Sequence, residues 1–183
     1  MSLLASSSQT AGPYVHIGFA KLYRSEIAPA GVPGERITVV GRLVDGDGTP
    51  MNDAVVEIWQ ADAQGRYAHP EGGAAKGPFL GFGRVPTDRE GRFRFTSIKP
   101  GRVPARDGAL QAPHLAIAIF SRGLLKQLTT RMYFPDDPAN AGDPLLYLVP
   151  AERRHTLVAR RNGNELAWNV MLQGEAETVF LDY

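Results

Sequence analysis

The stretch from Pro113 to Phe120, Pro-His-Leu-Ala-Ile-Ala-Ile-Phe, constrains the fold of this chain more than any other. It predicts a central strand. Alternate side chains of a strand point to opposite faces, which sets His114, Ala116, Ala118 and Phe120 against Leu115, Ile117 and Ile119. A strand that is apolar on both faces needs cover on both, so it belongs deep in a fold. His114 is its only titratable group, and whether that group is a metal ligand or a core residue bears directly on function.

The surroundings of this strand read as β-structure. Twenty Gly and fourteen Pro are spread between short alternating runs, which is the punctuation of an all-β chain rather than of a helical bundle. At 183 residues the chain suits one domain, taken here as 1–183, and no shift of composition marks a linker. A formal charge of +1 supplies no basic field for nucleic acid, and no apolar run is long enough to cross a membrane as a helix. The opening Met-Ser-Leu-Leu-Ala-Ser-Ser-Ser lacks the charged start and apolar core of a secretion signal. With no cysteine there is no disulfide, and a cytoplasmic location is expected.

In chain order, residues 1–18 form an N-terminal arm whose Gly12-Pro13 turn pair predicts extended rather than helical backbone. Having no periodic apolar face, the arm must dock on this domain or on a neighbour, or stay disordered. Strands are predicted over Arg36–Val44, Ala54–Gln60, Arg92–Ile98 and Gln127–Phe134, at Leu166 through Leu172, and over Thr178–Leu181. The Asp45-Gly46-Asp47-Gly48 cluster reads as a turn, because Val56 stands where a calcium loop of the EF-hand type needs its twelfth-position carboxylate. Residues Ala68 to Gly83 read as a loop. Pro150–Arg161 is the one predicted helix, with Pro leading, Leu157 and Val158 on its inner stripe, and Asn162-Gly163 after it. The expected fold is mainly β: an antiparallel β-sandwich with one short C-terminal helix and an extended N-terminal arm.

Candidate chemistry is sparse. No Gly-x-Ser-x-Gly elbow is present, and the acidic residues sit mostly in turns. Two histidines two apart on a strand would share a face and begin a metal site, but the partner position of His114 is Ala116. Between Ala68 and Met132 there is no tyrosine, and His69 and His114 are the only histidines. An independent metal site would have to be built from those two and carboxylates.

Several ordered motifs carry a resemblance. Glu57-Ile58-Trp59-Gln60-Ala61-Asp62-Ala63-Gln64-Gly65-Arg66-Tyr67, then Thr87-Asp88-x-x-Gly91-x-Phe93-x-Phe95, then Ile98-Lys99-Pro100-Gly101 precede Pro113-His114. Together they resemble the intradiol ring-cleaving dioxygenases. Gln9-Thr10-Ala11-Gly12-Pro13-Tyr14 and Gln173-Gly174-Glu175-x-Glu177-Thr178-Val179-Phe180 are similar, more narrowly, to the alpha chains of the family's two-chain members. The resemblance implies a sandwich whose iron-bearing relatives hold a ferric ion (Fe3+) with two tyrosines and two histidines. Here the loop Pro70–Phe82 lacks the first tyrosine, Arg102-Val103-Pro104 stands where the second would follow Lys-Pro-Gly, and Ala116 replaces one histidine, leaving His114 at a vestigial ligand position.

By that resemblance this chain binds no metal and contributes no catalytic residue of its own. It is expected to complete the pocket of a homologous beta subunit through Thr10, Gly12, Pro13 and Tyr14 on the arm and Arg131 on a strand. The implied reaction, with the partner's iron and O2, is cleavage of 3,4-dihydroxybenzoate between its hydroxyl-bearing carbons to 3-carboxy-cis,cis-muconate. Arg131 beside Tyr133 on a polar strand face is suited to attract an aromatic carboxylate. The competing expectation is a stand-alone, non-catalytic sandwich that binds small aromatics or another protein. An independent metalloenzyme using His69 and His114 is the third.

Overall fold

Alternation builds the elements, and in the computed structural model, which describes residues 6–69, 77–105, 108–135 and 137–182, they fall in the expected order. The strands are β1 (Arg36–Val44), β2 (Val55–Trp59), β3 (Phe82–Pro86), β4 (Arg92–Ile98), β5 (Val103–Pro104), β6 (Leu110–Gln111), β7 (His114–Phe120) and β8 (Leu128–Tyr133). After them come β9 (Arg160–Asn162), β10 (Glu165–Ala167) and β11 (Val170–Met171), with two short α-helices, α1 (Pro13–Phe19) and α2 (Pro144–Leu148). Two 3-10 helices occupy Pro138–Gly142 and Ala151–Leu157.

One sheet is centred on β1. On one side β4 runs antiparallel to it, and on the other β10 and β11 run parallel to successive parts of it, with β9 antiparallel beyond β10. The second sheet is antiparallel throughout, in the order β3-β2-β7-β8. Val39, Leu43, Phe93 and Phe95 from the first sheet and Val56, Ile58, Leu115, Ile117 and Ile119 from the second bury their side chains in one shared core. That is a sandwich, mainly β, as expected. The two parallel pairings are a departure from an all-antiparallel plan.

Close approach fixes Gly41 at the centre of the first sheet. A Cβ there would strike the Trp168 carbonyl oxygen and the Phe93 ring, so a side chain would force the strands apart. A smaller cluster of Ala112, Tyr133, Leu146, Val149 and Leu157 lies against the β7–β8 end. Asp143 anchors it. Its buried carboxylate accepts from the backbone N–H of Ala112 (2.7 Å), Leu145 and Leu146 (both 2.9 Å) and from the Tyr133 hydroxyl (3.1 Å), capping α2 and tying it to β8 and to the segment that leads into β7.

Four local expectations are corrected. The arm is irregular through Gly12, but Pro13 at the first helical position starts α1, a helix with no buried residue. The predicted helix Pro150–Arg161 is a 3-10 helix that stops at Leu157; Val158 bridges to Tyr133, and Arg160 and Arg161 join β9. Leu166 to Leu172 splits into β10 and β11 because the Asn169 side chain, rather than the backbone, accepts from Arg42 N–H at 3.0 Å. Thr178–Leu181 contributes only a single bridge, Leu181 to Thr129.

Candidate functional site

His114 opens β7, with Tyr133 of β8 directly across from it. The imidazole is buried, with 5% of its residue surface exposed; Nδ1–H donates to the Ala112 carbonyl at 2.8 Å, and the ring lies 5.7 Å from that of Tyr133. Burial pushes its pKa down to about 4, and the Arg131 guanidinium pushes the same way against the opposing Ala112 carbonyl and Asp143 carboxylate. His114 is therefore neutral near pH 7. Burial likewise pushes the Tyr133 phenol above its ordinary 10, its hydroxyl being engaged by Arg131 and Asp143.

The next row across the sheet runs Phe82, Trp59, Ala116, Arg131. Register sets these four side chains on one face, so the position that would hold a second histidine lies between an indole and a guanidinium. Arg131 Nη1 donates to Gln111 Oε1 at 2.6 Å and to the Tyr133 hydroxyl at 3.4 Å. Trp59 is 37% exposed and stacks on Tyr67 at 6.0 Å. Beside this row a shallow cavity of about 190 Å³ is lined by Trp59, Phe82, Ala116, Ala118 and Thr129. The face of β7 carrying Ala116, Ala118 and Phe120 is thus only half-covered, whereas the opposite face is fully buried. Cover on both faces, expected from the sequence, is incomplete within the chain itself.

The arm meets the other end of β7. Thr10 Oγ1 accepts from Gly123 N–H at 2.7 Å and lies 3.5 Å from the Ser121 carbonyl. His16 Nε2–H donates to the Asp53 carbonyl at 2.7 Å while Nδ1 accepts from the Tyr23 hydroxyl at 2.9 Å, and Arg84 lies 4.1 Å over the Phe19 ring. Gly12, Pro13 and Tyr14 remain exposed, Tyr14 by 84%. Within one chain, then, Thr10 to Tyr14 and Arg131 are not brought together: Arg131 pairs with Ala116, and Thr10 touches Ser121, about 17 Å further along the strand by residue count. Gln111 and Asp143, which position Arg131 and Tyr133, had no sequence signal of their own. Their partners come from distant elements.

Residues 14–174 match the sequence profile of a family described as dioxygenases. The alpha chain of protocatechuate 3,4-dioxygenase from Burkholderia cepacia is 39% identical over 99% of this chain and 98% of its own. This chain belongs to the intradiol dioxygenase family. The corresponding alpha chain from Pseudomonas putida is 38% identical over 96% of this chain and 95% of its own. The beta chain from Burkholderia cepacia is 43% identical, but over 69% of this chain and 56% of its own. Among solved structures, the dioxygenase domain of a carbohydrate-binding fusion protein from Streptomyces sp. SirexAA-E superposes with a TM-score of 0.64 at 25% identity, covering 86% of this chain and 89% of that domain. Catechol 1,2-dioxygenase from Acinetobacter sp. ADP1, at 21% identity and a TM-score of 0.63 over 80% of this chain and 55% of its own, shares the fold.

The intradiol family implies a ferric ion, and the residues around His114 do not fit one. Ala116 offers no donor, the neighbouring Arg131 is itself a cation, and Tyr133 is committed to Asp143. His69 is exposed while His114 is buried, and among the described residues no three His, Asp, Glu or Cys side chains converge as metal ligands. The loop expected to lack a ligand tyrosine falls partly on 70–76, outside the described residues. No helix among the described residues is long and apolar enough to cross a membrane.

Proposed function

We infer that this chain is the iron-free alpha subunit of a hetero-oligomeric, cytoplasmic protocatechuate 3,4-dioxygenase. The observation that carries this reading is the row Trp59–Ala116–Arg131 beside His114: an alanine, flanked by an indole and a guanidinium, stands where the family resemblance calls for a second histidine. Similarity to alpha chains over nearly the full length supports it, against a beta-chain similarity confined to 69% of the chain. In this reading a beta chain holds the ferric ion, which supplies the O2-dependent cleavage of 3,4-dihydroxybenzoate to 3-carboxy-cis,cis-muconate. The present chain shapes the pocket. Gly12 and Pro13 bring backbone close to the substrate, Thr10 and Tyr14 line its wall, and Arg131 attracts the ring carboxylate by charge.

A second reading has one observation in its favour. Thr10, His16 and Phe19 all engage the chain's own domain, as expected of a stand-alone sandwich that binds aromatics or another protein without catalysis. Mixing the purified chain with a candidate beta chain separates the two. The proposed function predicts a stoichiometric complex that cleaves 3,4-dihydroxybenzoate; two species that stay apart, with a fully active beta chain, would leave the stand-alone reading.

A further inference from the structure

An arginine reaching across a surface of small side chains keeps no fixed position unless acceptors gather its guanidinium. Arg131 is placed in that way: register sets it beside Ala116, with Thr129 beside Ala118 in the next row, on the half-covered face of β7. Its Nη1 is drawn toward the covered, His114 end of the strand, donating to Gln111 Oε1 at 2.6 Å and to the Tyr133 hydroxyl at 3.4 Å. Gln111 is the closer of these two acceptors and does more to fix where the charge lies.

The glutamine is itself held. The Pro104 carbonyl can only accept and Arg131 can only donate, so one orientation of the amide satisfies both: its NH2 donates to Pro104 at 3.2 Å and its oxygen faces Arg131. The backbone beneath it is fixed by pairing with Val103 in the β5–β6 hairpin, by Arg102 Nη2, which donates to the Leu110 carbonyl at 2.8 Å, and by Ala112 N–H, which donates to Asp143 at 2.7 Å. The other carboxylate oxygen of Asp143 takes the Tyr133 hydroxyl proton at 3.1 Å, which leaves the phenol oxygen to accept from Arg131. One buried carboxylate thus places both acceptors. Both are neutral, since an amide carries no charge and burial pushes the Tyr133 phenol above its ordinary 10. An acidic side chain at position 111 would instead form a charge-assisted pair with the guanidinium.

We propose that Gln111 is a positioning residue that sets the preference for a carboxylated catechol: it holds Arg131 in place through a neutral acceptor that does not compete with the ring carboxylate for the charge. This rests on the reading of Arg131 as the group that attracts that carboxylate, and Gln111 acts through Arg131 alone.

The test uses alpha–beta complexes reconstituted from full-length chains and reads the ratio of kcat/KM for 3,4-dihydroxybenzoate to kcat/KM for catechol. Gln111→Glu should lower this ratio about 30-fold, as Arg131→Ala does, and Gln111→Met, which keeps the length without the acceptor, about fivefold. The double variant of Gln111→Glu with Arg131→Ala should fall well short of the product of the single losses, because the glutamate then has no guanidinium to pair. A glutamine that served folding alone would lower both substrates alike and multiply the losses. A readout without catalysis is the Arg131 Nε–H resonance of the chain by itself, assigned by its absence in Arg131→Ala; it should move in both Gln111 variants. Loss of the preference in Arg131→Ala but not in Gln111→Glu or Gln111→Met, or an unmoved Nε–H resonance, would overturn the role of Gln111 and leave the proposed function standing. An Arg131→Ala complex that keeps the preference would overturn both the role of Arg131 and that of Gln111.

Discussion

Lowering the pH should destabilise this protein through His114. The imidazole is held at about 4 in the fold against an ordinary 6.5. That gap corresponds to about 3 kcal/mol of preference for the neutral ring. The unfolded chain takes up the proton first, so the stability is fully present above pH 6.5, declines as pH falls through the window, and is lost by about pH 4. A loss of about 3 kcal/mol is a large fraction of the stability of a typical domain. Urea denaturation of wild type and His114→Gln at a series of pH values isolates the contribution, because the glutamine amide can still donate to the Ala112 carbonyl but does not titrate. The wild type should lose about 3 kcal/mol more than the variant between pH 6.5 and 4. Arg131→Gln should raise the His114 pKa, measured from its imidazole resonances, since one of the two lowering causes is removed. Parallel pH profiles for wild type and His114→Gln, or an imidazole titrating near 6.5, would show that burial does not hold His114 neutral.

Three further outcomes follow from particular contacts. Asp143→Ala leaves three backbone N–H groups and the Tyr133 hydroxyl without their acceptor and should cost about 4 kcal/mol in denaturant unfolding. Gly41→Ala meets the Trp168 carbonyl and the Phe93 ring and should cost about 3 kcal/mol, read as a lowered thermal midpoint. In a reconstituted alpha–beta complex, Arg131→Ala should lower kcat/KM for 3,4-dihydroxybenzoate about 30-fold with little change for catechol and none in iron content, as expected for loss of a charge-assisted hydrogen bond worth about 2 kcal/mol.

Where local pattern and tertiary environment agree, the strands were legible. β1 and β4 run over the residues predicted, since Ile37, Val39 and Leu43 and then Phe93 and Phe95 alternate cleanly with exposed arginines. The loop expected over Ala68–Gly83 takes in Phe82 and Gly83, the first two residues of β3; Gly83 is there because a Cβ would meet the Ile27 side chain. The Pro150–Arg161 pattern suited a helix, but Val158 and Ala159 are drawn to Tyr133, and Ala159 N–H donates to its carbonyl at 3.0 Å. Such long-range pairing overrides helical propensity. The site was legible in part. That an alanine, not a histidine, stands two residues beyond His114 is plain in the sequence, whereas the neighbours of that alanine, Trp59 and Arg131, depend on a register set by strands far apart in the chain.

Iron content, measured on the chain purified alone and again after assembly with a beta chain, decides most directly whether this chain is an iron-free subunit. The lone chain should hold no stoichiometric iron and show no ferric-tyrosinate colour, with one ferric ion per alpha–beta pair and dioxygenase activity appearing only with the partner. A lone chain that is coloured, holds one iron per molecule and cleaves 3,4-dihydroxybenzoate would contradict it.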